Sequence, residues 1–282
     1  MVESSYTRVT LALDIVRKIA DGAFAGYHEL GIIKHKIDLH DRITIENSEK
    51  MVLECDNPMV PCDSSNICWK AALLLKSQCG IDKNVRIQIE KHIPVMGGLA
   101  GGSANAATTL SMLNVLWKLD LTAKELMEYG RMLGMDVPFY FTANTAFDTE
   151  ATGIIEPIKL DRSFTFVLAV PDFGVSTKDA YQGIDYSLIG KSIDKTTAMK
   201  TVLCEKSNDA LFSLMHNDFE LTVFKKYPRL AVVKKTLLDM GCKSAMMSGS
   251  GSTVLGIAAD YDHAKRIQSS IDCKIIIASS LV

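Results

Sequence analysis

The strongest chemical signal in the sequence runs from Pro94 to Ala106, Pro-Val-Met-Gly-Gly-Leu-Ala-Gly-Gly-Ser-Ala-Asn-Ala. Gly97, Gly98, Gly101 and Gly102 enclose Leu99 and Ala100, and Ser103 and Ala104 follow. Glycines without a Cβ let the backbone turn inward and approach a ligand closely. A helix expected to open at about Ser103 would aim free N–H groups and its positive end at whatever the loop holds, which suits phosphate. The run is not a Walker A sequence, because Ser103 stands where that motif has lysine. The competing role is a turn that only packs a helix against a strand. Met247-Ser248-Gly249-Ser250-Gly251-Ser252-Thr253 is a second glycine-rich run. Read alone it is a hairpin; beside the first loop it offers amides and hydroxyls to phosphates.

Further residues could carry chemistry beside such a loop. Asp136 lies in the apolar stretch Leu133-Gly-Met-Asp-Val-Pro-Phe139. A carboxylate there either accepts a proton from an acceptor hydroxyl during phosphoryl transfer or caps a turn before Val-Pro. Arg8 is either a cation beside a transferring phosphoryl or a solvated strand residue. Tyr27 and His28 follow Gly26 at a loop-to-strand junction. His35, His40 and His92 show no spacing with carboxylates or cysteines that resembles a transition-metal site, and no metal ligands can be named.

These residues need elements to hold them. Residues 7–16 read as a strand, 21–26 as a loop, and 28–46 as one or two strands. Asn66 to Leu75 has helical spacing, and residues 85–90 alternate as a half-buried strand. Ala106, Leu110, Leu113 and Trp117 mark one face of the helix after the loop. Thr122 with Glu125 gives a capping box for the next helix. Further on, Phe164–Val170 reads as a strand and Lys206–Phe224 as a helix. Another helix runs from Pro228 to a stop at Gly241. Short strands at 245–247, 253–258 and 274–278 surround a helix at 261–270. A domain boundary is placed at 155/156, so that residues 1–155 carry the nucleotide loop and 156–282 form a second domain.

Composition sets the frame. The 282 residues suffice for two domains. Hydrophobic residues make up 48% and charged residues 23%, the balance of a globular protein. A net charge of −2 gives no basic footprint for nucleic acid. Seven cysteines without a Cys-x-x-Cys pair point to reduced thiols in the cytoplasm. No signal peptide is evident, and no apolar run has the length of a membrane span. The expected partner is a small molecule, with the oligomeric state open between monomer and homodimer.

Taken together, the segments resemble the GHMP kinases over essentially the full length. Pro94–Ala106 resembles that family's central phosphate motif, and Met247–Thr253 its C-terminal glycine motif. Gly26-Tyr-His-Glu-Leu30, Asn66 ahead of Ala71-Ala72, Gly134–Phe139, Asn217-Asp-Phe-Glu220 and Tyr227-Pro228 also fit. The resemblance implies an α+β, two-domain GHMP kinase fold. Its N-terminal domain would be α/β (ribosomal protein S5 domain 2-like) and its C-terminal domain ferredoxin-like. It implies ATP as donor with Mg²⁺, and phosphorylation of the 2-hydroxyl of a cytidine-diphosphate-linked methylerythritol in isoprenoid precursor synthesis. A paralogue acting on another small alcohol, or one impaired in catalysis, is the alternative.

By the same resemblance Asp136 matches the catalytic carboxylate. Asn66, Ile67 and Lys91 match positions near the adenine or its phosphates, and Gly97–Ser103 the phosphate loop, flanked by Pro94 and Ala104. Tyr27 and Tyr181 match aromatic positions that sandwich cytosine, and His28 the residue that hydrogen-bonds it. Gly249 and Gly251 are placed on the substrate side. The family's Ala-Lys-Ile-Asn-Leu strand reads Thr7-Arg8-Val9-Thr10-Leu11 here. Arg8 therefore stands for the catalytic lysine and Thr10 for a substrate-binding asparagine, and Arg for Lys is not a neutral exchange.

Overall fold

The computed structural model describes residues 1–205, 209–271 and 273–281. The chain divides into two compact units woven from separate segments. One comprises Met1–Thr7, Leu39–Val95 and Ala100–Thr142; the other comprises Arg8–Asp38, Met96–Leu99 and the residues from Ala143 on. Two long strands, β1 (Val2–Lys18) and β2 (His28–Ser48), contribute to both. The expectation of one or two strands over 28–46 resolves to one.

In the first unit the second half of β2 pairs antiparallel with β4 (Asn84–Glu90), from Arg42 opposite Glu90 to Ser48 opposite Asn84. β3 (Val52–Cys55), which no sequence signal marked, runs parallel to β4. Val85, Ile87 and Ile89 point inward at the expected period of two. They meet Ala71, Ala72 and Leu75 of α1 (Ile67–Cys79) and Ala106, Leu110, Leu113 and Trp117 of α2 (Gly101–Trp117). Each of these leucines contributes ~1.5–3 kcal/mol by leaving water. α3 (Ala123–Leu133) starts at the capping box, with Thr122 Oγ1 accepting from the Glu125 amide and Glu125 Oε2 from the Thr122 amide. A 3-10 helix, Val137–Phe141, closes the unit.

In the second unit the first half of β2 pairs antiparallel with β5 (Thr145–Glu150), and β5 with β6 (Ile155–Pro157). After β7 (Thr165–Val170) come α4 (Thr177–Gln182), α5 (Ile193–Leu203) and α6 (Ala210–Leu214). The two residues of β8 (His216–Asn217) lie parallel to β1 at Ala12 and Leu13. α7 (Glu220–Lys226) and α8 (Pro228–Asp239) follow. β9 (Ala245–Met247), β10 (Val254–Ala258), α9 (Tyr261–Gln268) and β11 (Lys274–Ser279) complete the chain.

Strands β7, β9, β10 and β11 form an antiparallel sheet in the order β11-β7-β10-β9, with α8 ahead of β9 and α9 ahead of β11. That is the β-α-β-β-α-β, 4-1-3-2 arrangement of a ferredoxin-like domain. Leu230, Val233 and Leu237 of α8 and Ala264 and Ile267 of α9 fill the same core as Val167, Ala169 and Ile275.

One expected element is corrected. The helix read over Lys206–Phe224 is instead α6, β8 and α7, and residues 206–208 lie outside those described. The break has a local cause: Asn217 Oδ1 accepts from the Phe219 amide, and Asp218 Oδ2 accepts from the amides of Ile15 and Gly190. Side chains that bind backbone in this way compete with helix. α2 also begins at Gly101, two residues ahead of the expected Ser103.

Candidate active site

In the first unit the site residues gather around three chain turns. Asn66 is the N-cap of α1: its Oδ1 accepts from the Cys68 amide at 2.8 Å, and its Nδ2 donates to the Pro61 carbonyl at 2.7 Å. Ile67 follows, and its side chain lies 3.9 Å from where a Cβ would stand on either Gly102 or Gly134. The start of α1, the start of α2 and the segment leading to Asp136 thus meet at one isoleucine. Ala100, the N-cap of α2, has φ +54° and no side-chain cap. The 17-residue helix therefore opens without a side-chain cap from its N-cap residue, and first-turn amides without such a cap are the groups that bind anions at helix starts.

Asp136 precedes the 3-10 helix with φ −78° and is partly exposed, and its side chain makes no capping hydrogen bond. Lys91 is committed within the protein. Its Nζ donates to Asp41 Oδ2 and to the Ile93 carbonyl, both at 2.6 Å. Asp41 is fully buried, and it also accepts from the amides of His92 and Ile93 and from Asn105 Nδ2, each at 2.8 Å. One carboxylate therefore fixes the strand exit at 91–93 and the first turns of α2. Gly101 lacks a side chain for an internal reason, since a Cβ there would stand 2.8 Å from Ile93 Cγ2.

In the second unit Arg8 is buried, which excludes the solvated role. Its Nη1 donates to the Gly98 carbonyl at 2.9 Å and to Thr10 Oγ1 at 3.4 Å. Thr10 Oγ1 accepts from the Gly249 amide at 3.2 Å, and Ser248 Oγ donates to the Gly98 carbonyl at 3.1 Å. The Thr253 amide donates to the Gly97 carbonyl. The two glycine-rich runs are thus bonded to each other and to β1. Gly98 has φ +71°, and a Cβ there would lie 2.1 Å from the Ser248 carbonyl oxygen. Gly249 and Gly251 also have positive φ. Asn217 Nδ2 donates to the carbonyls of Met247 and Gly249, and Glu220 Oε1 accepts from the Met247 amide. The Asn-Asp-Phe-Glu run therefore acts as the support of the second loop.

A third group lies at the loop-to-strand junction of β2. The His28 ring stacks on Tyr181, with centroids 4.6 Å apart, and its Nε2 is 2.8 Å from the Tyr186 hydroxyl. Tyr181 also meets the edge of Phe219. Tyr27 is half exposed and packs edge-on with Phe24. Burial, and then the charge of Lys18, hold the His28 pKa below its usual value.

Asp41, Tyr186 and the supporting roles of Ser248, Asn217 and Glu220 escaped the sequence reading. Ser248, Asn217 and Glu220 carried a signal, as parts of recognised runs. Among the described residues no group of three or more His, Cys, Asp or Glu side chains could hold a metal ion, and no helix is long and apolar enough to cross a membrane.

Two family models match the chain: GHMP kinases N terminal domain over residues 66–143 and GHMP kinases C terminal over residues 199–276. A 4-diphosphocytidyl-2-C-methyl-D-erythritol kinase from Alkaliphilus oremlandii is 40% identical, covering 93% of this chain and 89% of that protein. The chain belongs to the GHMP kinases. Another protein with the same kinase name, from Thermodesulfovibrio yellowstonii, is 33% identical over 96% of this chain and 95% of its own length. A crystal structure titled 4-(cytidine 5'-diphospho)-2C-methyl-D-erythritol kinase superposes with a TM-score of 0.82 and 27% identity, covering 99% of this chain and 98% of that one. The first family match opens at the Asn66 cap and takes in the phosphate loop and Asp136 of this GHMP kinase. The second takes in Asn217 and the Ser248–Thr253 loop.

Proposed function

We propose that this kinase transfers the γ-phosphoryl group of ATP to the 2-hydroxyl of 4-diphosphocytidyl-2-C-methyl-D-erythritol. The observation that carries the reading is the near full-length likeness to proteins of that name, at 40% identity in the first case. Each unit by itself carries features that suit phosphoryl transfer: in the first, a helix start without a side-chain cap after glycines, and in the second, a buried guanidinium bonded to the Gly98 carbonyl.

In this reading residues Gly97–Ala104, set by Pro94, receive the ATP phosphates. Asn66 and Lys91 act by holding the walls of that site, the one as a helix cap and the other through Asp41, while Ile67 packs beside it. Asp136 accepts the proton of the acceptor hydroxyl as its oxygen bonds to the γ-phosphorus. The bond from that phosphorus to the bridging oxygen breaks and ADP leaves. Arg8 places positive charge beside the transferring group. Thr10, Gly249 and Gly251 shape the acceptor side, and Tyr27, His28 and Tyr181 take the cytidine end. Mg²⁺ belongs to the proposal. In phosphoryl transfer it is held mainly by phosphates with one or two protein oxygens and needs no all-protein cage, and Asp136 and Ser103 supply hard oxygen donors of the right kind. A sequential division at 155/156 and a cytoplasmic location are part of the same reading.

The test incubates the purified chain with ATP, Mg²⁺ and a panel of alcohols and follows ADP. The expected outcome is turnover with the cytidyl substrate, reduced at least ~10²-fold by Asp136→Asn with little change in ATP affinity. Turnover with another alcohol in its place overturns the substrate. A second reading, a paralogue impaired in catalysis, draws on the Arg8–Gly98 bond, which engages the cation with the protein's own backbone. ATP binding without turnover of any alcohol would favour it.

A further inference from the structure

His28 is held on a face and on one edge. Tyr181 covers a face, with an interplanar angle of 24°. The rings of His28 and Tyr186 are nearly parallel, 14° apart, yet their centroids are 6.0 Å apart while Nε2 and the hydroxyl are 2.8 Å apart. A separation that long with a bond that short describes two rings lying edge to edge, with the phenol oxygen on the side of the Nε2 lone pair. Nδ1 is the polar atom left over, and it makes no hydrogen bond with the described residues.

A phenol donates strongly and accepts weakly, because its oxygen lone pair is delocalised into the ring. Imidazole nitrogen without a proton is a good acceptor. This difference favours the direction from Tyr186 O–H to Nε2. With Nε2 accepting, the single proton of a neutral imidazole lies on Nδ1. Burial and Lys18 both favour the neutral ring near neutral pH.

We propose that Tyr186 is a positioning residue that locks His28 in the Nδ1–H form, and that this form selects cytosine over uracil. The proposal rests on the cytidine reading above. An Nδ1–H donor matches the bare ring nitrogen N3 of cytosine. Uracil carries a hydrogen on N3 and would set donor against donor. Sites that hydrogen-bond a substrate discriminate strongly because the wrong partner leaves buried groups unpaired. Without Tyr186 the ring is released to the Nε2–H form that imidazoles prefer in water, and Nδ1 becomes an acceptor that no longer rejects uracil.

The experiment compares the full chain with Tyr186→Phe, which keeps the ring and removes only the hydroxyl. Calorimetry with CDP and with UDP gives the affinity ratio, and ¹⁵N NMR of histidine-labelled protein reports which His28 nitrogen carries the proton. The expected result is Nδ1–H and a preference for CDP in the native chain. In the variant the proton population shifts toward Nε2 and the CDP-to-UDP ratio falls at least tenfold. If the native chain prefers CDP and the variant keeps that preference unchanged, the cytidine reading stands and the Tyr186 assignment falls. An Nε2–H signal in the native chain also overturns the assignment. If neither nucleotide binds the native chain, the cytidine reading fails and the base selection falls with it.

Discussion

Arg8 Nη1 donates to the carbonyl oxygen of Gly98 across 2.9 Å, tying the first strand to the first glycine loop. The same nitrogen lies 3.5 Å from where a Cβ on Gly249 would stand, so the guanidinium borders both loops. If its charge serves the transferring phosphoryl, Arg8→Met should lower kcat by ~10²–10³-fold, the range for losing one preorganised electrostatic donor. Arg8→Lys keeps the charge and should lose less than Arg8→Met. Steady-state kinetics on the two variants decide the matter. Equal activity of Arg8→Met and the native chain would leave Arg8 a packing role only.

Gly98 and Gly102 should answer alanine in opposite ways. A Cβ on Gly98 would collide with the Ser248 carbonyl at 2.1 Å and with Gly251 backbone atoms at 2.8 and 2.9 Å, at a φ of +71° that disfavours any side chain. At Gly102 the nearest atom is 3.9 Å away, an ordinary contact. Gly98→Ala is expected to weaken ATP binding at least tenfold, about 1.4 kcal/mol, and to lower the thermal midpoint. Gly102→Ala should leave the thermal midpoint near native. A Gly98→Ala protein with native midpoint and affinity would show that the loops do not hold each other as described.

Asp41 and Lys91 form a buried ion pair at 2.6 Å with four further hydrogen bonds around it. Asp41→Asn leaves the lysine charge buried without its counter-charge, which costs about 3–5 kcal/mol when one partner of such a pair is removed. Replacing both, as Asp41→Asn with Lys91→Met, should recover part of that loss because no charge remains to desolvate. Urea unfolding of the single and double variants measures it. A single variant less than ~1 kcal/mol below native would mean that water reaches the pair.

His35 gives the fold an acid-sensitive component. It is fully buried between Thr145 Oγ1 and Ser280 Oγ, and burial pushes its pKa from 6.5 down to about 3. Between those values the unfolded chain binds a proton that the folded chain refuses. Stability therefore falls as pH drops below 6.5, by up to about 1.4 kcal/mol per unit. His216 acts with the opposite sign. Burial pulls its pKa down, but the hydrogen bonds to Asp14 and the Leu214 carbonyl and the charges of Asp14 and Asp218 outweigh it, and the net shift is upward. Its contribution is present below 6.5 and is lost as pH rises through the raised value. Unfolding at pH 7 and pH 5 should show His35→Gln losing less stability on acidification than the native chain, by about 2 kcal/mol. An equal loss would place the acid sensitivity elsewhere.

Much of the fold was legible because its causes are local. The capping box at Thr122 and Glu125, the alternation of Val85, Ile87 and Ile89, and the Pro228 start of α8 each depend on residues within a few positions. The glycine loop ahead of a helix was legible for the same reason. Asp41 was not, because its partners Lys91 and Asn105 stand 50 and 64 residues away and nothing near it in the sequence anticipates them. The run through Asn217 was read as helix because its neighbours favour helix; what breaks it is hydrogen bonding to Met247, Gly249 and Ile15, all remote. The burial of Arg8 was not legible either, since an arginine on a strand is ordinarily solvated and its bond to the Gly98 carbonyl joins residues 90 positions apart.

Every residue from Ser244 to Ala258 is buried, including the whole of Ser248-Gly-Ser-Gly-Ser-Thr253. By composition this is the most linker-like stretch of the chain, the place a protein engineer would choose for a tag or a protease site. The supports from Thr10, Asn217 and Glu220 make it the reverse. Its amide hydrogens should be among the slowest to exchange with solvent, and a protease should reach it only after the second unit has opened. An insertion there would be rejected where one in the exposed 21–26 turn would be borne.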